Sequence, residues 1–326
     1  MFKAQENLIP CQPPIWAKVS HLHTIAAYLM TSPRARTYDE KLLIPVSDGD
    51  QLVSFYYRGN KNISIYLFHG LSGDTQSSYM QRTCNLAQSL GAHVYMTNHR
   101  GCGEGEGLAG EPYHSGRSDD LGWVIEAGRK RNPDHLHLAI GFSLSGNAVL
   151  LLGAGIRSNN LPDAIISVNP PIQLEKAAQR LGKGLNLVYD QKFVAELVRA
   201  VQVREVKNST PNKYVFPRVL STYRFDEIYT GPAAGFGTRE NYYKTCSAKQ
   251  YLSEIKVPTL ILTSKDDPFV DFMDFENAPT SSAVQIQIQK FGGHLGYLNR
   301  VPLPAGGKRW LDYFLSEQIS HLMRAL

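Results

Sequence analysis

Short, nearly unbroken apolar or β-branched runs recur along this chain, each bounded by turn residues: Ile63–Phe68, Val94–Thr97, Leu136–Ile140, Ala164–Val168, Thr259–Thr263 and Val284–Gln289. A strand with one wet face alternates apolar and polar residues, whereas a strand covered on both faces has no need to. Most of these runs therefore read as inner strands of a mostly parallel sheet. Helical stretches alternate with them, at about Ser77–Leu90, Ser118–Lys130, Gly146–Ile156 and Trp310–Leu326. That alternation builds a doubly wound α/β sheet with helices on both faces. Lys41–Val46 and Leu52–Tyr57 flank Ser47-Asp48-Gly49-Asp50, the turn signal of an antiparallel hairpin, and bring the expected strands to eight.

One region breaks the rhythm. Between Val168 and Thr259 there is no convincing core strand, and the pattern turns helical at Glu175–Leu181 and Lys192–Gln202. The simplest reading is one domain over residues 1–326 with a helical cap inserted at about 172–248. Its aromatics, Phe225, Tyr229, Phe236, Tyr242 and Tyr243, suit two roles equally: lining a pocket for an apolar group, or forming the insertion's own core.

Bulk properties exclude several classes. Of 326 residues, 43% are hydrophobic and 19% charged, enough to bury a large core. The net charge of +5 is scattered, with no basic stripe interleaved with aromatics, so nucleic acid is not expected as a partner. The run Arg129-Lys130-Arg131 fits a solvated helix C-terminus. Cys11, Cys84, Cys102 and Cys246 form no CxxC pair and suggest neither a zinc site nor a disulfide framework. The N-terminal stretch is too polar for a signal peptide, and no apolar run approaches the ~20 residues of a membrane helix. A cytoplasmic chain without a transmembrane segment is expected. Gly105-Glu106-Gly107-Leu108-Ala109-Gly110 matches G-x-G-x-x-G, but Glu111-Pro112-Tyr113 follows where a dinucleotide site needs a helix start. No cofactor and no metal are expected.

The chemistry concentrates where the strand at Leu136–Ile140 runs through Gly141-Phe142-Ser143-Leu144-Ser145-Gly146 into a helix. This is the nucleophile-elbow pattern G-x-S-x-G with serine at the last position. Residues two before and two after the nucleophile face each other across the turn, so both must be small, and Gly146 relieves crowding against the next strand. Ser143 is the preferred nucleophile; taking Ser145 instead would place Ser143 and Asn147 at the crowded positions. A His-Gly turn, His69-Gly70, follows the strand Ile63–Phe68, and the N–H groups of Leu71 and Leu144 are the candidate oxyanion donors. Late in the chain, Asp266-Asp267-Pro268 follows one strand and Gly292-Gly293-His294 follows the next. The order Ser, Asp, His completes a triad of Ser143, Asp267 and His294. Asp267, directly before proline, is preferred to Asp266, which suits an Asx-type turn. Arg100 is read as a loop anchor bonding carbonyls.

With those residues placed, the chain resembles the YheT-like hydrolases of the α/β-hydrolase superfamily. The likeness runs through Pro14, Trp16, His21-Leu22-His23-Thr24, Asp48-Gly49-Asp50, His69-Gly70-Leu71, Asn98-His99-Arg100-Gly101-Cys102-Gly103, Phe225-Asp226-Glu227, Thr230, Gly235-Phe236, Tyr242-Tyr243, Asp266-Asp267-Pro268-Phe269 and Gly292-Gly293-His294. Two positions depart from the family: Ser145 replaces the first of two elbow glycines, and His23 stands where glutamine is frequent. The resemblance implies an α/β-hydrolase fold and hydrolysis of short- to medium-chain carboxylic esters, with acyl transfer to alcohols in some members. The expected partner is a small ester or acyl substrate.

Overall fold

The computed structural model describes residues 8–46, 49–207, 213–305 and 307–324. Ser47 and Asp48 of the expected turn, the start of the N-terminal stretch and the last two residues of the expected C-terminal helix lie outside this range.

Ten strands form among the described residues: β1 Glu40–Pro45, β2 Gln51–Tyr57, β3 Ile63–Phe68, β4 His93–Asn98, β5 Leu136–Phe142, β6 Ala164–Val168, β7 Thr259–Ser264, β8 Val284–Gln289, β9 Leu298–Leu303 and β10 Gly307–Arg309. The first eight make one sheet in the order β1-β2-β4-β3-β5-β6-β7-β8. β1 and β2 pair antiparallel, β2 meets β4 antiparallel, and every later pairing is parallel. β9 and β10, which the apolar-run argument did not anticipate, make a separate antiparallel pair.

The helices are α1 Ser20–Leu29, α2 Ser78–Ser89, α3 Ser118–Arg131, α4 Leu144–Gly153, α5 Leu174–Leu181, α6 Leu187–Val206, α7 Thr222–Phe225, α8 Gly231–Ala233, α9 Arg239–Cys246, α10 Met273–Glu276 and α11 Trp310–Arg324. Burial on both faces explains the apolar runs. Ile63, Ile65 and Leu67 of β3 join the core on the α2 and α11 side, and Tyr66 and Phe68 join the core on the α3 and α4 side. The basic run closes α3, where Arg129 pairs with Asp163, Lys130 with Glu126 and Arg131 with Glu40.

Between β6 and β7 the described residues are helical or irregular, from α5 through α9. This stretch holds two apolar clusters of its own, one around Leu174, Tyr242 and Tyr243, the other around Val194, Phe225 and Tyr229. Tyr242 and Tyr243 also line a large cavity, so both roles considered for the aromatics are present. The glycine-rich segment 105–110 leads to no helix before Ser118; Asp50 ties it down by accepting from the N–H groups of Gly110 and Glu111.

Candidate active site

The parallel strands β3 to β8 all end at the carboxyl edge of the sheet, the edge where α/β folds place their chemistry. Ser143 joins β5 to α4 with φ 53° and ψ −118°, a conformation rarely tolerated by a residue with a Cβ. Steric demand around it follows the elbow logic. A Cβ at Gly141 would sit 2.3 Å from the Ser145 carbonyl oxygen, and one at Gly146 would sit 2.9 Å from Ser167 Oγ on β6.

Ser143 Oγ lies 2.8 Å from His294 Nε2. His294 Nδ1 lies 2.8 Å from Asp267 Oδ2. Asp267 is buried and richly solvated by the protein: Oδ1 accepts from the N–H groups of Phe269 and Val270, and Oδ2 accepts from Asn169 Nδ2 at 2.7 Å. Three donors besides the imidazole keep the carboxylate's charge compensated in a dry place. Asn169, at the end of β6 with φ 48°, was not singled out from the sequence. A short polar residue in a left-handed conformation right after a buried strand was the available signal.

Asp266 does other work. Its Oδ1 accepts from the N–H groups of Gly292 and Gly293 at 2.7 and 2.9 Å, so it shapes the loop that carries His294. Burial acts to raise its carboxyl, but His23 and the Gly293 N–H outweigh that and hold it below the usual carboxylate range. Thr24 of α1 completes the loop's support, accepting from the His294 N–H at 3.0 Å and donating to the Ser20 carbonyl. A Cβ at Gly293, where φ is +55°, would lie 2.6 Å from Thr24 Oγ1. His23 accepts from the Leu298 N–H at 2.6 Å. His23 and Thr24 thus brace a loop some 270 residues downstream.

Leu71 and Leu144 both border the cavity beside Ser143, and neither N–H donates to a protein acceptor among the described residues. Gly70 packs so closely that a Cβ there would come 3.0 Å from Ser143 Cβ. Its N–H donates to Tyr79 Oη at 2.8 Å, and the Ser72 N–H donates to Tyr113 Oη at 2.8 Å.

Ser145 is fully buried, and its Oγ donates to the His69 carbonyl. With its one proton so used, it accepts from His99 Nε2 at 2.6 Å. His69 Nε2 accepts the His99 backbone N–H at 3.1 Å, which leaves the His69 proton on Nδ1, donating to the Gly70 carbonyl at 2.8 Å. Both rings are neutral in this scheme. Burial, with His99 alongside, holds His69 well below the usual imidazole range, and burial pushes His99 down to about 4. The serine that departs from the family elbow therefore fastens the elbow to the His-Gly turn. Arg100, expected to bond carbonyls, is held by carboxylates: Nε and Nη2 donate to Asp120 and Nη1 to Asp50. The carboxylates suit a guanidinium buried this deeply because they compensate its charge.

The cavity at Ser143 and His294 has a volume of about 950 Å³. Apolar side chains dominate its wall, among them Leu71, Leu144, Leu174, Leu181, Phe193 and Phe269, drawn from the sheet edge and from α5 and α6. A buried carboxyl, Asp226, adds a polar spot; burial pushes it up to about 6, and it accepts from Thr230 Oγ1 and Tyr243 Oη.

Comparison with known proteins identifies the family. The family model described as serine aminopeptidase, S33, matches residues 59–294. The putative esterase YheT of Escherichia coli (strain K12) is 30% identical over 275 residues, covering 80% of this chain and 77% of that protein. The chain belongs to the α/β-hydrolases, on their YheT-like branch. This YheT-like hydrolase is also similar to medium-chain fatty acid ethyl ester synthase/esterase 2 of Saccharomyces cerevisiae, at 27% identity over 72% of this chain and 58% of that one. Human phospholipase ABHD3 is 24% identical over 89% of this chain and 74% of that one. Among solved structures, the Pyrococcus furiosus esterase Pf2001 shares the fold, with a TM-score of 0.57 at 14% identity over 91% of this chain and 99% of that one. The YheT-like hydrolase is an enzyme of the ester-hydrolysing kind. No helix among its described residues is long and apolar enough to cross a membrane.

Proposed function

We propose that the chain is a serine carboxylesterase for short- to medium-chain acyl esters, with Ser143 as nucleophile, His294 as base and Asp267 as the acid that orients it. The observation that carries this reading is the pair of 2.8 Å contacts linking Ser143 Oγ to His294 and His294 to Asp267. His294 Nε2 takes the hydroxyl proton as Ser143 Oγ attacks the ester carbonyl carbon. The new oxyanion is received by the N–H groups of Leu71 and Leu144, each such donor being worth on the order of 100-fold in rate. Collapse expels the alcohol, which takes the proton from His294. Water then attacks the acyl-enzyme, again losing a proton to His294, and the acid departs. Each step draws on side chains and backbone of this chain alone. The helices between β6 and β7, at about 172–248, serve as a cap that keeps the acyl chain out of water. A cytoplasmic setting belongs to the same reading, supported by four cysteines that are all free thiols.

A second outcome shares the acyl-enzyme: transfer to an alcohol in place of water. It is favoured by the likeness to a yeast protein named as both an ethyl ester synthase and an esterase. Hydrolysis of p-nitrophenyl esters tests the nucleophile. Ser143→Ala should lower it by about 10⁴-fold or more, and Ser145→Ala by no more than about tenfold. The reverse pattern would move the nucleophile to Ser145. Added ethanol separates the two outcomes by the share of acyl groups recovered as ethyl ester. Failure of a fluorophosphonate probe to label Ser143 in the folded chain would point to a non-catalytic binding protein.

A further inference from the structure

The helix α1 is amphipathic the wrong way round for a soluble core. Leu22, Ile25, Ala26 and Leu29 follow the i, i+3, i+4, i+7 spacing of one apolar stripe, and the three large ones are exposed. The opposite face, which packs inward, carries His23, Thr24 and Ala27. Apolar exposure continues on either side. Before α1, Ile15 is 81% exposed and Trp16 and Val19 about half; across from it, Leu185, Leu187 and Val188 at the start of α6 are exposed as well. A contiguous patch of this kind on a chain's surface marks something that covers it.

Three observations select the occupant. The patch reaches the cavity: Ile25, Tyr28 and Leu29 of α1 and Val188 of α6 line it and stand open to solvent. The two helices touch at this rim, where Lys192 Nζ donates to Tyr28 Oη at 2.9 Å and Tyr189 Oη meets His21 Nδ1 at 3.4 Å. Cations outnumber acids around the patch: of Lys18, Arg34, Arg36, Arg180, Lys183 and Lys192, three face an acid, Arg36 facing Asp39, Arg180 facing Asp271 and Lys192 facing Glu196. Between Leu8 and Tyr38 the sequence carries Lys18, Arg34 and Arg36 with no acidic residue, and between Gln179 and Tyr189 it carries Arg180 and Lys183 with none. Finally, an exposed tryptophan and tyrosine beside lysines is the composition that settles at the headgroup level of a bilayer.

We infer that this face docks on an anionic lipid surface, with the mouth between α1 and α6 turned toward the bilayer, so that an amphiphilic ester passes from the lipid layer into the cavity without crossing water. The inference rests on the acyl-ester reading of the site, since it names where that substrate resides.

The full chain is sedimented with vesicles of phosphatidylcholine alone, or of phosphatidylcholine mixed with phosphatidylglycerol, and hydrolysis of a water-soluble p-nitrophenyl ester is measured in parallel. The mixed vesicles should carry the chain down, less so in high salt. Ile15→Glu combined with Leu22→Glu should reduce that partition by about tenfold while soluble ester hydrolysis stays within about twofold. Neither residue lines the cavity. The pair Ile15→Ser and Leu22→Ser serves should the glutamates disturb folding. A wild-type chain that stays in the supernatant with both vesicle types overturns the inference, as does one that binds undiminished after the substitutions. A dimer that these substitutions split assigns the face to a second copy of the chain and overturns it too. Failure of the unsubstituted chain to dock, with normal soluble hydrolysis, sinks this inference alone; soluble hydrolysis that survives Ser143→Ala sinks the reading of the site.

Discussion

Ser145 and Asn169 show how much of a site can lie one residue behind the reacting atoms. Ser145 Oγ, His99 and His69 form a closed set of hydrogen bonds between the elbow and the turn that carries Leu71. Ser145→Ala removes the hydroxyl that bridges His99 Nε2 and the His69 carbonyl, which also lie 3.1 Å apart and keep each other as partners, so the expected loss in stability is about 1 kcal/mol. Steady-state kinetics should place its effect in kcat with KM nearly unchanged, because the oxyanion matters most in the transition state. Asn169→Ala takes one of the three supporting donors from Asp267, and kcat is expected to fall by about tenfold on the same logic. An effect confined to KM in either variant would place these side chains in ground-state binding.

At the scale of elements, the inner strands were legible because burial on both faces leaves an unbroken apolar run, and β3, β6 and β8 carry the expected bounds. The elbow was legible because its steric demand is local, fixed by Gly141 and Gly146 within a few residues of Ser143. The brace of the His294 loop was not, since Thr24 meets it across some 270 residues and no periodicity records such a contact. α1 itself was missed for a related reason: its apolar stripe is short and faces outward, so it reads as neither strand nor core helix. β9 and β10 were overlooked although the sequence Pro304-Ala305-Gly306 that separates them is a turn signal. Thr24→Val keeps the volume and deletes the acceptor for the His294 N–H. Denaturant titration should show a loss of about 1 kcal/mol, and the same variant should lower kcat for p-nitrophenyl esters.

For the whole molecule, cavity and core set the working range. Ala177 lines the cavity on α5, and Ala177→Phe should shorten the accepted acyl chain. The ratio of kcat/KM for a decanoyl to an acetyl ester is expected to drop by about tenfold, the worth of a few buried methylenes. Acid should unfold the protein early. His99 is held near 4 in the folded state and returns to about 6.5 when unfolded, so the unfolded chain binds the extra proton; stability therefore falls as pH drops from about 6.5 to about 4, by on the order of 3 kcal/mol from this ring. His69, shifted the same way, adds to the slope. A thermal midpoint that stays level across that window would show the rings already charged. One further consequence follows from α1, a ten-residue rod whose inner side grips the loop of the base. Free-energy linkage is reciprocal, so anything that steadies the rod from outside also narrows the excursions of the imidazole, and an empty site with a wandering His294 is a site whose rod has come loose.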